Sequence, residues 1–532
     1  MSLLTLLFIV ISDIPGYPYS TGLLSFPHDE GAHYADTVTS EWWYLNMDLV
    51  DENQDSFGLM LTHFRKPAVA RIFNVTCGDS FYSSVKIFGS LQADTGHLFL
   101  TYRDLTGSVL DTNRWTYPED SVPFSYLVKV SNLYPEISCS LRLQAFDRPF
   151  AIDSIGIVTL GDSSNLSYYY AMPFINVDGQ MLIGGEEHIV HGIAWIDRQW
   201  GPFFVTPEGG YEWFSTVVSQ NSRWLGLQIW NLFEGDSVPH SPDFRHLNIF
   251  VHDPDSTFQI YTSQFILERL GYFYDAVSQK YFSRGWRILW QSENGTVFLE
   301  MYPEAENQIT TFLSSRFYEG ITWISRVSAV FGEVFLSRAV RGYGFAELVQ
   351  KYDHPITPPA SPQFIGFNYH AGITEAVWHP SQQGTYPIAG YRVYFLDPEN
   401  PDIVRSYITV TDTSVNIPNS GSSVAIMISA FDSSSAVNGS PLAGPFFFTG
   451  IREYEGNQSP FNIRISGRKI ELTIQSCKDW SLKIYTPDGR ENKSFSGTGH
   501  ARLNFALRTG VYFTIFKCGT SVKTRKILVI QR

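Results

Sequence analysis

The chain is short of positive charge, of cysteine and of the motifs that mark nucleotide or metallohydrolase chemistry. Against 52 acidic side chains stand 38 Lys and Arg, for a formal charge of −14. Phosphate binding needs a basic face from which counterions are released, so nucleic acid is excluded as a partner. No Gly-x-Ser-x-Gly, Walker A, Gly-x-Gly-x-x-Gly or His-Glu-x-x-His occurs, which removes support for a hydrolase elbow, a nucleotide site and a zincin. Sustained 3.6-residue periodicity is also missing, so long helices are not expected. The four cysteines fall two by two, Cys77 with Cys139 and Cys477 with Cys518. Two disulfides and four free thiols are both open, because sequence does not supply the Cα separation a disulfide needs.

What the chain has in abundance is aromatic surface: 40 Phe, 29 Tyr and 13 Trp among 532 residues. That composition favours β structure with large apolar contacts, and the length calls for several domains. Strand-like stretches run from about Phe26 to Asp353, among them Phe57 to Phe64, Leu141 to Phe146, Gly226 to Leu232 and Trp323 to Val330. A region of that size requires two closed antiparallel sheets in tandem or one very large sandwich. Glu41-Trp42-Trp43 is echoed by Glu212-Trp213-Phe214, which favours two. The Pro-rich segment 354–362 reads as a stiff linker. Residues 1–20, opening on an apolar run through Ser12, are expected to be a signal peptide, the run being too short to span a bilayer.

Two segments set ionisable groups among indoles: Glu41-Trp42-Trp43-Tyr44-Leu45, and His191-Gly192-Ile193-Ala194-Trp195-Ile196-Asp197-Arg198-Gln199-Trp200-Gly201. Read as strands, they put His191, Trp195 and Asp197 on one face and Glu41 beside Trp43 on another. A carboxyl lodged among indoles costs free energy unless it is paired or used. Adding water to an isolated alkene needs a strong acid to protonate carbon and aromatic faces to tolerate the cation. Asp197 beside Trp195 meets both demands, with His191 or Tyr44 to position water and Glu41 as a second carboxylate. Trp43, Trp195, His63 and Trp213 are the candidate ligand-binding residues. A structural alternative pairs Glu41 and Asp197 with Arg65 and Arg198 at a barrel rim. His28, His33, His63 and Asp29 lack zinc-type spacing, so no metal and no cofactor is expected.

Three resemblances follow from ordered motifs. Phe26-Pro27-His28-Asp29-Glu30-Gly31-Ala32-His33, Thr39-Ser40-Glu41-Trp42-Trp43-Tyr44-Leu45, Gly192-x-Ala194-Trp195-x-Asp197-Arg198-x-Trp200-Gly201, Tyr318-Glu319-Gly320 and Gly342-Tyr343-Gly344-Phe345-Ala346-Glu347-Leu348 resemble the AttH-like and carotenoid 1,2-hydratase (hydroxyneurosporene synthase) family. Its fold implies two tandem lipocalin-like antiparallel barrels, here 26–205 and 206–353, and with the two resemblances that follow the chain is expected to be all-β, the barrels followed by two β-sandwich domains. Gln199 stands where the family often has Glu, which weakens an acid role at that position. Residues 363–449, with Trp378, Gly390-Tyr391-Arg392-Val393-Tyr394 and Ala430-Phe431-Asp432, resemble a fibronectin type III domain. Residues 458–532 resemble the type A sorting domain of the type IX secretion system, through Pro487-Asp488-Gly489, Leu507-x-x-Gly510-Val511-Tyr512 and Lys526-Ile527-x-Val529.

These resemblances imply an exported protein, secreted or attached to the outer-membrane surface, with the type IX machinery and a hydrophobic small molecule as partners. It would act on a polyene or terpenoid-like ligand in an aromatic-lined barrel cavity, by acid-catalysed hydration or cyclisation. The other reading is a noncatalytic lipocalin-like carrier of apolar ligands on the cell surface.

Overall fold

The computed structural model describes residue 16 onward, apart from 36, 117–121, 134–135, 161–164, 204–209, 234–243, 313–314, 339–340, 371–372, 418–422, 449–460, 467–468, 475–477, 487–490, 509, 519–520 and 530–532. Residues 1–15 of the expected signal segment lie outside the described residues, as do Cys477 and the Pro-Asp-Gly turn; its last residues are described, with Tyr19–Thr21 paired to Leu24–Phe26 and Tyr17 and Tyr19 packed against the first core. Among the described residues every regular element is a strand except for two 3-10 turns, His28–Glu30 and Ile152–Ser154. None of its helices is long and apolar enough to cross a membrane.

The first large sheet contains β1 (Ser40–Asp51), β2 (Ser56–Lys66), β3 (Ala70–Cys77), β4 (Leu166–Ile183) and β5 (Glu186–Gly201). β3, β2, β1, β5 and β4 lie side by side in that order. The two edges of this sheet, Ser80–Ile87 and Ser90–Ala93, are joined only by Phe88 and Gly89. Edges so close in sequence require the sheet to coil back on itself. The second sheet contains β6 (Gly210–Gln220), β7 (Arg223–Phe233), β8 (Ser315–Phe331) and β9 (Arg341–Leu348), ordered β7, β6, β9, β8. Its edges, Ser256–Thr262 and Ile266–Arg269, are again sequence neighbours. Each sheet is thus a meander whose last strand pairs with its first, the arrangement of a lipocalin-like barrel. The echoed triplets occupy equivalent places, Glu41 on β1 and Glu212 on β6.

Period-two alternation divides the side chains into inner and outer sets. Trp43, Leu45, Met47, Ala194, Ile196 and Trp200 fill the first barrel, and Phe214, Val218, Ile229, Trp286 and Leu299 fill the second. The opposite faces meet each other: Tyr44, Tyr169, Trp195 and Phe174 of the first barrel pack on Trp213, Trp230, Phe250, Phe345 and Ile321 of the second. Gly58 of β2 permits the closest approach, since a Cβ there would lie 2.5 Å from Ile321 Cγ2. Gly58→Ala is expected to destabilise by about 1–3 kcal/mol, because the packed interface accommodates extra atoms only by displacement; urea unfolding measures it.

Residues 363–448 form a three-stranded and a four-stranded sheet around Trp378, Val393 and Ile428. This module is fixed to the second barrel. Leu289 and Phe298 of the barrel pack against Tyr394, Leu396 and Met427. Beside them Arg287 bonds Glu268 and Glu300, each at 2.5 Å, and Arg392 bonds Glu268. The Pro-rich segment is packed as well, with Ile356 buried beside Tyr352 and Ala436. The described residues through Phe448 belong to one compact unit. Residues 450–532 form a separate unit of three-stranded and four-stranded sheets with a core of Ile470, Leu482, Ile484 and Phe516.

Cys77 and Cys139 are free thiols. Their strands, β3 and Glu136–Ala145, are separated by four others in the sheet order, which rules against the disulfide alternative for that pair. Cys518 is disulfide-bonded.

Candidate active site

A cavity of about 280 Å³ opens between the two barrels rather than inside either. The barrel interiors are filled by their own cores, so the barrel-cavity expectation is corrected: the space is left where two curved outer faces cannot stay in contact. Each wall is built from ladder rungs. On the first barrel Asp197 of β5 lies opposite Tyr44 of β1, which lies opposite Thr62 of β2 and then Ile72 of β3. The next rung sets Tyr169, Gln199, Trp42 and Phe64 in line. On the second barrel Trp230, Trp213, Glu347 and Glu319 follow one another across β7, β6, β9 and β8. All of these line the cavity.

The acidic groups are Asp197, Glu319 and Glu347. Glu319 and Glu347 face each other directly across the β8–β9 ladder, and like charges in that position repel. Burial, and then the charge of Glu347, hold Glu319 well above the usual carboxylate range. Burial pushes Glu347 to about 7, against the pull of the Tyr211 and Tyr44 hydroxyls. Tyr211 donates to Glu347 Oε1, and Asn74, reaching across from β3, donates to Glu319 Oε2 at 2.8 Å. The pair therefore titrates as a unit and shares at least one proton near neutrality.

Asp197 is governed by a different balance. Burial raises it to about 7, opposed by hydrogen bonds from Tyr169 and Trp195. Trp195 Nε1 donates to Oδ1 at 2.7 Å. Tyr169 has no choice of direction: its oxygen accepts from Trp213 Nε1 and from Gln228 Nε2, each at 3.0 Å, so its proton is left for Asp197 Oδ2. Both Asp197 oxygens thus receive donors, which favours the carboxylate.

Of the residues singled out from the sequence, the structure brings Asp197, Tyr44 and Trp213 to the cavity. Trp195 stands behind Asp197, fully buried, as its hydrogen-bond donor. Glu41 and Trp43 point the other way. Glu41 is buried inside the first barrel, paired with Arg198 at 2.5 Å and with Arg65, and these cations overcome burial to hold it down at about 2. Trp43 donates to Glu30 O at 2.9 Å and carries the Arg198 guanidinium on its ring. The structural alternative therefore holds for Glu41 and not for Asp197, which pairs with neither arginine. His63 is also interior, 2.9 Å from the Tyr102 hydroxyl, and burial lowers it to about 3. His191 is exposed and not among the lining residues. Glu319, Glu347, Tyr169, Tyr211 and Gln228 carry no role in the sequence reading. Glu319 and Glu347 lie inside motifs already recognised, and the signal available was a carboxylate in mid-strand between apolar residues.

A family model described as AttH-like matches residues 17–351. None of the curated proteins matches the chain. Among solved structures the chain is similar to a putative AttH from Nitrosomonas europaea, with 19% identity and a TM-score of 0.47, over 62% of this chain and 98% of that one. It is similar also to kievitone hydratase from Nectria haematococca, with 14% identity and a TM-score of 0.47, over 64% and 98%. A third likeness is to CghA, with 13% identity and a TM-score of 0.39, over 66% and 99%.

Proposed function

The chain belongs to the AttH-like family, and on that premise we propose that the cavity between its barrels takes an apolar unsaturated molecule of polyene or terpenoid type and protonates it, leading to hydration or ring closure. The observation that carries this reading is the division of the buried carboxyls: a Glu319–Glu347 pair that must hold a proton faces an aromatic wall and an Asp197 whose hydrogen bonds favour ionisation. Burial raises Glu347 and Asp197 alike to about 7, so near neutral pH both forms of each are populated, and the donors on both oxygens of Asp197 make it the partner that works as the carboxylate while the glutamate pair works as the acid.

In the hydration the Glu319–Glu347 pair gives its proton to one alkene carbon, and the faces of Trp213 and Trp230 stabilise the cation formed at the other. A water molecule attacks that cation and passes a proton to Asp197, so the net change is the addition of one water. In ring closure a second double bond takes the place of water, and Asp197 removes a proton from carbon. The acid role first read for Asp197 thus passes to the glutamate pair. Tyr44 contributes by facing Glu347, not by holding water with His191. Export through the type IX machinery, with attachment to the outer surface, belongs to the same proposal and is supported by the motif order of the last 75 residues.

The test is native mass spectrometry of the full chain after incubation with mixed polyenes and terpenoids. A bound or released species heavier by one water, or an isomer of altered retention, is the expected result. An unmodified ligand bound identically by wild type and by Asp197→Asn would make the protein a carrier. The rate kcat/KM is expected to be bell-shaped about pH 7. It falls above that pH as the glutamate pair loses its proton and below it as Asp197 gains one.

A further inference from the structure

Away from the cavity, His28, Asp29 and His33 bring their donor atoms within 4.8 Å of one another. Nδ1 of His28 and Nε2 of His33 lie 3.0 Å and 3.1 Å from the same atom, Asp29 Oδ1. The other oxygen of Asp29 is fixed by the backbone N–H of Ser25 at 2.6 Å.

The orientation of His33 is dictated from behind. Its ring lies flat on Trp200, with centroids 4.2 Å apart and planes 4° from parallel. Nδ1 faces Glu41 Oε1 at 3.3 Å. Arg198 Nη2 is also 3.3 Å from Nδ1, but the two hydrogens of Nη2 have nearer acceptors, Gly31 O at 2.7 Å and Glu41 Oε1 at 2.5 Å. Nδ1 is therefore the donor to Glu41 and carries the ring proton. A neutral His33 so oriented turns the lone pair of Nε2 toward a carboxylate oxygen, and the two repel. A cation between them removes the conflict, either a proton on Nε2 or a metal ion.

We infer that the cation is a divalent metal of zinc type, held by His28 Nδ1, the Asp29 carboxylate and His33 Nε2, with a further position open to solvent. A proton on Nε2 of His33, with His28 donating its own Nδ1–H to the same oxygen, is the competing account; the metal is favoured because three side chains of zinc-ligand type bring their ligand atoms within 4.8 Å of one another with the tautomer of His33 already fixed. A histidine ligand backed by a carboxylate on its second nitrogen is the arrangement that fixes tautomer and raises basicity in zinc sites. Bonds of zinc length place neighbouring ligand atoms about 3.3 Å apart, so the two Asp29–His separations need only small adjustment. His28, with its side chain 66% exposed, is free to turn through the rest. The expectation of no metal rested on linear spacing. The 3-10 turn at His28–Glu30 defeats that rule by folding residues 28, 29 and 33 onto one point. The inference is independent of the cavity chemistry.

The untagged full chain, stripped with chelator, is titrated with zinc chloride and separately with cobalt chloride. One zinc per chain and the visible absorption of four-coordinate cobalt are expected. His28→Ala, which alters an exposed side chain, and Asp29→Asn each weaken zinc binding by at least about tenfold, the lower limit for losing even an outer partner of a ligand. His188→Ala, at a histidine paired with Asp51, leaves it unchanged. If folded wild type takes up no zinc, or if both variants bind as wild type does, the metal site is refuted and a proton occupies the place.

Discussion

Glu347→Gln lowers product formation at pH 7 by about 10²–10⁴-fold, the range lost with a positioned general acid, and at the same time makes the protein more stable in mild alkali. The two effects have one cause. Glu347 is raised from an ordinary 4.5 to about 7 by burial, so the folded state holds a proton that the unfolded chain releases. That contribution is fully present below the unfolded value and is lost as the pH rises through about 7. Well above it the wild type carries the Glu347 charge in an aromatic wall, at a cost on the order of 3 kcal/mol. The glutamine variant keeps the shape and an oxygen for Tyr211 and has no charge to bury. Urea unfolding at about pH 8.5 is expected to show the variant more stable by up to that amount, and at about pH 4, below the unfolded value, the two are expected to coincide. Equal stability at both pH values would mean that the glutamates do not share a proton, and the acid assignment would fall.

Arg198→Met is expected to cost about 3–5 kcal/mol of folding stability with little change in ligand binding to the cavity. Arg198 and Glu41 are both fully buried, and removing Arg198 leaves the Glu41 carboxylate with Arg65 in place of two guanidinium partners, a buried charge only partly compensated. The loss includes stacking, since the guanidinium also lies over Trp43 at 3.9 Å and Trp200 at 4.9 Å. Adding Glu41→Gln to Arg198→Met is expected to recover part of the loss by removing the under-compensated carboxylate, less what Arg65 gives up with it, a coupling that a double-mutant cycle in urea reads directly. Loss of turnover by Glu41→Gln alone, in a protein of unchanged stability, would instead return Glu41 to the reaction.

The contrast between Glu41 and Asp197 shows how far strand periodicity reaches. Alternation alone placed Trp195 and Asp197 on one face and Glu41 with Trp43 on the other, and β1 and β5 obey it. It did not say which face was the interior, because both are aromatic: Trp43 and Trp200 look inward, Trp42 and Trp195 outward. His191 shares the parity of Asp197 but lies toward the exposed end of a sixteen-residue strand, beyond the reach of the second barrel. The register that sets Glu319 opposite Glu347 joins residues from strands with an intervening segment, and it depends on where each strand begins. Nothing local encodes that meeting. The tandem barrels themselves were legible, through aromatic content, strand spacing and ordered motifs; the cavity between them was not, since it arises from the fit of two surfaces.

Each barrel keeps its own ladder and its own filled interior, so a substitution on one wall of the cavity is absorbed within one barrel. Trp42 and Phe64 on the first wall can change the shape of the cavity while Asp197 beside them and the glutamate pair of the second wall stay in register. The reaction is thereby shared between two separately closed sheets, each anchoring its own proton-transferring group, and the aromatic positions between those anchors are where a related chain can change what it accepts without rebuilding how it transfers a proton.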